Sequence, residues 1–147
     1  MLHLKRLALA ILLHPLLFPS QAVPRYYRPE DWVTFTDFRY ISGVASDLTH
    51  VYLATNGGIA RFDRLTRRWD LPLTTGDGLP EIPTRVVAPD AARRALWALT
   101  PQDLTKYDFG LERWTSFATL DGTPAGAVEA VGIGSQFIYA RAGSSTF

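Results

Sequence analysis

Beyond an N-terminal leader the chain keeps one histidine, His50, and acid–base chemistry would have to start there. A hydrolytic constellation needs a base oriented by a carboxylate beside a nucleophile, and no serine sits in a nucleophile-elbow sequence. His50 falls between two expected strands, so it reads as a solvated turn residue; a ligand or general base is the alternative. Asp63 and Asp108 are the next groups to weigh. They recur at a fixed spacing, where an Asp accepts backbone hydrogen bonds at a turn; a cation site is the alternative. Asp47, Asp77 and Asp90 are turn residues by the same argument, and none belongs to a spaced calcium loop. Paired carboxylates for glycoside chemistry meet only through the tertiary fold, and nothing in the spacing favours them. Arg61, Arg64, Arg67 and Arg68 concentrate positive charge on one hairpin. They read as a solvated outer hairpin, partly neutralised by Asp63 and Asp70, with docking to an anionic glycan or envelope surface as the alternative. On this reading the chain has no catalytic residue, no cofactor and no metal site.

Composition bounds the setting. The 147 residues suffice for one ordinary domain, and 47% hydrophobic with 20% charged residues suits a packed core. Residues 1–22 read as a signal peptide: Lys5 and Arg6 precede an apolar run from Leu7 to Phe18, and Ser20-Gln21-Ala22 supplies the small residues of a cleavage site before Val23. The run is too short for a bilayer, which needs about 20 residues; an uncleaved anchor is the alternative. The expected location is periplasmic or extracellular, with no membrane span in the mature chain. Cleavage removes two of the 15 cations and leaves 13 against 14 acids. A chain so close to neutral is a poor nucleic-acid binder. It has no cysteine, which excludes disulfides and thiol chemistry.

The elements that must position these residues repeat. Val51 to Asp70 returns without a gap as Leu96 to Thr115, 45 positions on. Thr55 matches Thr100, Asp63 matches Asp108, Arg68 matches Arg113 and Trp69 matches Trp114. The order of aromatic, turn, aromatic-Asp, turn and Trp is kept as well. Residues 23–31 read as an extended lead-in and Trp32–Phe35 as a short strand. Strands are expected at 40–46, 51–55, 59–62 and 67–73, then at 84–88, 95–100, 103–107 and 113–117, then at 128–133 and 137–141. Asn56-Gly57-Gly58 is a hairpin turn whose residues accept positive φ. Val51–Thr55 is apolar on both faces, which implies a sheet held between two others. Trp69 and Trp114 are expected to pack between neighbouring units. No amphipathic helix of three turns lies beyond the leader.

The fold class is therefore all-β. Four short strands per unit of about 40–50 residues is the pattern of a β-propeller blade. The partial propeller over 32–147 comprises units at about 40–73, 84–117 and 128–147: two full blades of four antiparallel strands and part of a third.

The run Asp77-Gly78-Leu79-Pro80, Val86-Val87, Asp90, Leu96-Trp97-Ala98-Leu99-Thr100, Leu104-Thr105-Lys106-Tyr107-Asp108 and Trp114 resembles the two-component regulator propeller repeat. The first copy matches at Val51–Thr55, Gly58–Asp63 and Trp69. Ala54 and Leu99 stand where the repeat has Gly, and Gln102-Asp103 stands where it has Gly-Gly. The resemblance covers residues 32 to 141. Such propellers are mostly periplasmic sensor regions of hybrid histidine kinases, and also occur in exported proteins with no kinase. The resemblance implies a binding or interaction module and does not imply signalling by this chain itself; the expected partner is a small molecule, a glycan or a protein.

Ligand-facing positions are expected in the long connections 74–83 and 118–126, at Thr75, Asp77, Gly78, Leu79, Asp121 and Gly122, because loops on a rigid scaffold carry function. Thr55, Asp63, Trp69, Thr100, Asp108 and Trp114 are expected to be structural repeat positions. About three blades fall short of the four to eight of a closed ring. Either further downstream blades complete a longer protein, or two copies complete a ring as a homo-oligomer. A hydrolase or lyase acting on glycans is the remaining alternative.

Overall fold

The computed structural model describes residues 37–143. The expected leader (1–22), lead-in (23–31), strand Trp32–Phe35 and residues 144–147 lie outside them. Among the described residues the chain is all-β. Strands β1 (Ile41–Ser46), β2 (His50–Thr55), β3 (Gly58–Asp63) and β4 (Arg68–Trp69) form one antiparallel sheet in chain order. Strands β5 (Val86–Asp90), β6 (Ala95–Leu99), β7 (Leu104–Asp108) and β8 (Arg113–Phe117) form a second in the same order. A short hairpin, β9 (Thr119–Leu120) with β10 (Thr123–Pro124), leads to a third sheet of β11 (Val128–Ile133) and β12 (Ile138–Ala142).

The repeat holds in the pairing register. His50 opposes Asp63 as Ala95 opposes Asp108, and Phe62 opposes Trp69 as Tyr107 opposes Trp114. The first strand of each unit obeys different arithmetic, because the corner that follows it varies in length. Four residues separate the paired Ser46 and Val51, six separate Pro89 and Leu96, and four separate Ile133 and Ile138. Register therefore equates Val44, Val87 and Val131 on the first strands. It equates Tyr52, Trp97 and Tyr139 on the second.

The first strands lie next to one another, β1 beside β5 and β5 beside β11. Polar links fix this contact. Ser42 Oγ donates to the Thr84 carbonyl at 2.6 Å, and the Thr84 amide donates to the Thr55 carbonyl at 2.9 Å. The Arg85 guanidinium donates to the carbonyls of Thr100 and Gly126. Two apolar layers fill the spaces between sheets. Tyr52, Ala54 and Ile59 of the first sheet meet Val87, Leu96, Ala98 and Tyr107 of the second. On the other side Trp97, Leu99 and Leu104 meet Val128, with Val131, Ile133 and Ile138 packed beside them. A fully buried side chain of this size contributes roughly 1.5–3 kcal/mol.

The strand buried on both faces is thus β6, all five residues of which are buried. The apolar pattern of Val51–Thr55 predicts that position for β2 instead. In β2, Tyr52, Ala54 and Thr55 are buried while Val51 and Leu53 are only half-buried. The expected outer strand 67–73 shrinks to Arg68–Trp69, followed by a bridge in which Leu73 and Ile59 exchange 2.9 Å hydrogen bonds. Of Asn56, Gly57 and Gly58, it is Gly58 that takes positive φ, at 122°. The connections hold short 3-10 turns at Thr75–Asp77 and Ala125–Ala127.

Candidate functional site

The repeat positions hold turns. Thr55 Oγ1 donates to the Gly58 carbonyl at 2.8 Å and accepts the Gly57 amide, while Thr100 Oγ1 makes the corresponding pair of bonds with Asp103. Asp63 Oδ1 accepts the amides of Leu65 and Thr66, and Asp108 Oδ1 those of Gly110 and Leu111. The Thr66 and Gly110 amides lead in holding these carboxyls below the ordinary carboxylate range. Trp114 packs beside the layer between the first two sheets, its ring 4.9 Å from Tyr107. Trp69 departs from the expected packing between units. It meets Phe62 edge-on at 5.2 Å but is 63% exposed, because it lies on the face of the first sheet turned away from the second.

The connection residues divide. Asp77 Oδ2 accepts the amide and hydroxyl of Thr74, so this carboxylate caps its own turn. Leu79 is buried, and Gly78 adopts φ 82° against the Trp114 ring. Thr75 stays exposed on the same turn. Asp121 and Gly122 form the tip between β9 and β10, both with positive φ. Asp121 lies at the rim of a groove of about 670 Å³ lined by Trp97, Phe117, Leu120, Val128 and Tyr139. Trp97 stacks on Phe117 at 5.6 Å, and its buried Nε1–H has no partner among the described residues.

The polar cluster with the most chemistry is one the spacing conceals. His50 is the first residue of β2 rather than a turn residue, and cross-strand pairing sets it opposite Asp63. Its Nε2 lies 3.0 Å from Asp70 Oδ2, and its Nδ1 lies 2.8 Å from Thr49 Oγ1. Thr49 Oγ1 is also 3.0 Å from Asp47 Oδ1, which accepts the Thr49 and His50 amides. Tyr52 donates its phenol to Asp47 Oδ2 at 3.1 Å. Burial opposes the Asp47 charge, but the His50 and Thr49 amides outweigh it and leave the carboxyl below its ordinary value. Burial, and then the Asp47 charge, push the Tyr52 phenol well up.

This cluster borders a cleft of about 360 Å³ between the first two sheets, with Arg61, Asp90 and Phe109 on its walls. Arg61 donates to the Leu71 carbonyl and Arg64 to the Asp47 carbonyl, so two cations of the arginine-rich hairpin brace backbone. Arg67 and Arg68 are exposed. Chemically the corner can relay a proton or hold a cation. Asp70, His50 and the Thr49 hydroxyl stand in acid–base–hydroxyl order, with Asp47 as a second acceptor beside that hydroxyl.

No family model matches the chain, and no curated protein matches it. Among the described residues no helix is long and apolar enough to cross a membrane.

Proposed function

We propose that this chain is an exported, non-catalytic interaction module built of propeller-type sheets, and that the faces of the first and third sheets left exposed among the described residues are its binding surfaces. The observation that carries the reading is a comparison of equivalent positions. Val87 of the second sheet is 6% exposed against the first sheet, whereas its equivalent Val44 is 64% exposed. At the other end Tyr52 and Trp97 are buried beneath the next sheet, whereas their equivalent Tyr139 is 63% exposed. Trp69 and Val44 share one open face with the half-buried Val51, Leu53 and Phe62. Exposed apolar faces of this kind mark interaction surfaces.

The occupant we assign is a second copy of the chain. The open face around Val44 is of the type that covers a Tyr52 or Trp97 face inside the protein, and the face around Tyr139 is of the type so covered. Two copies therefore meet head to tail, a heterologous contact that closes into a ring or grows. Light scattering on the purified chain tests this. Association that rises with concentration and is lost in both Val44→Asp and Tyr139→Asp is the expected result. A monomer at every concentration, with both faces left open, would overturn it. Export rests on the leader at 1–22, and N-terminal sequencing of secreted protein should start at Val23.

A further inference from the structure

We propose that His50, Asp63 and Asp70 form a site for one divalent transition-metal ion of the zinc class. The three residues come from the start of β2, the end of β3 and the residue after β4, and each is partly buried. One donor atom from each lies within 4.8 Å of the others. Zinc bound to nitrogen and oxygen at about 2.0–2.1 Å keeps its ligands about 3.3 Å apart in a tetrahedron. The His50–Asp70 separation of 3.0 Å already matches such an edge. Closing the rest takes side-chain rotation at half-exposed positions.

Proton counting is consistent with a cation at the same place. Three polar contacts run in series: Asp47 with Thr49, Thr49 with His50 Nδ1, and His50 Nε2 with Asp70. Carboxylates only accept, so a neutral imidazole and one hydroxyl bring two protons to three contacts. If Thr49 donates to Asp47 and Nδ1–H donates to Thr49, the Nε2 lone pair faces the Asp70 carboxylate. A cation at Nε2, a proton or a metal ion, removes the conflict, and for a metal ion Asp63 stands near as a third ligand. Thr49 and Asp47 then act as the outer partners that hold a metal-bound imidazole in one tautomer.

The second unit is an internal control. In it Ala95 stands where His50 does, Thr115 where Asp70 does, and the turn still closes on Asp108. The sheet and its turn therefore do not require a histidine or a second carboxylate at this corner. The first unit adds both, and it adds them beside the one acid that the turn already supplies. Three protein ligands leave a fourth coordination position for water or another ligand.

Titration of the full chain with Zn2+ against a chromophoric chelator, followed by the visible spectrum of the Co2+ form, tests the site. One equivalent should bind, with the intense d–d bands of four-coordinate cobalt. His50→Ala and Asp70→Asn should each weaken binding at least about tenfold, while Asp108→Asn should leave it unchanged. Asp70→Asn is isosteric at a half-exposed position, and circular dichroism verifies that each variant is folded. No saturable binding, or binding of equal strength in folded His50→Ala or Asp70→Asn, would overturn the proposal.

Discussion

Gly58 lies directly against the carbonyl of Leu73, with no room between them for a Cβ. The contact follows from the bridge between Ile59 and Leu73, which brings the chain back to β3 after β4 has ended. Gly58 also holds φ at 122°, a conformation that side chains rarely adopt. Gly58→Ala should therefore lower stability by about 2–3 kcal/mol. Urea denaturation followed by tryptophan fluorescence measures it, and a loss below about 0.5 kcal/mol would refute the close contact.

Arg67 and Glu112 end the two equivalent turns in the left-handed region, with φ of 55° and 49°. A side chain there costs roughly 1 kcal/mol relative to glycine. Arg67→Gly and Glu112→Gly should each stabilise the fold by about 0.5–1 kcal/mol, and together they should add. Midpoint shifts in thermal melts provide the check.

Asp108 shows how the turns respond to acid. Its folded-state pKa is depressed, first by the Gly110 amide and then by that of Leu111. A depressed acid contributes stability above its unfolded value of about 3.9, and the contribution is lost as pH falls through the lower folded value. The wild type should lose stability below about pH 4. Asp108→Asn should be less stable at neutral pH and show a flatter profile across that window. Parallel profiles for the two proteins would remove the turn carboxylate from the account.

Val44 and Val87 give a paired test of which sheet face is covered. Val87→Ala empties part of the layer between the first two sheets and should cost about 2 kcal/mol. Val44→Ala, at the equivalent exposed position, should change the dissociated chain by less than about 0.5 kcal/mol. Chemical denaturation at low protein concentration separates the two. Equal costs would mean that both faces are covered.

Much of the architecture is legible in the sequence because a repeat records register. The match of Asp63 and Trp69 with Asp108 and Trp114 predicts equivalent turns, and both turns bind their amides through the same carboxylate oxygen. What the repeat does not record is rank within a stack. Trp69 and Trp114 are the same letter in the same register, yet one faces outward and the other faces a neighbouring sheet. The burial of β6 on both faces, expected one unit earlier at β2, is the same effect. The candidate metal corner is illegible for another reason. His50, Asp63 and Asp70 are separated by 13 and 7 positions, and only cross-strand pairing together with the early end of β4 brings them to one point. Asp77 reads as an available loop acid until its bonds to Thr74 are counted. Its neighbour Leu79 gives a better warning, since an apolar residue inside a polar connection is often an anchor.

The corner between the first and second strands spans four, six and four residues in the three units, while the later turns of the first two units keep one spacing. Length there has changed without disturbing a single pairing further along. This rim is accordingly the natural graft point of the protein. A peptide epitope, a tag or a recognition loop inserted between Ala91 and Arg94 would be displayed by a scaffold whose own geometry has already tolerated that change.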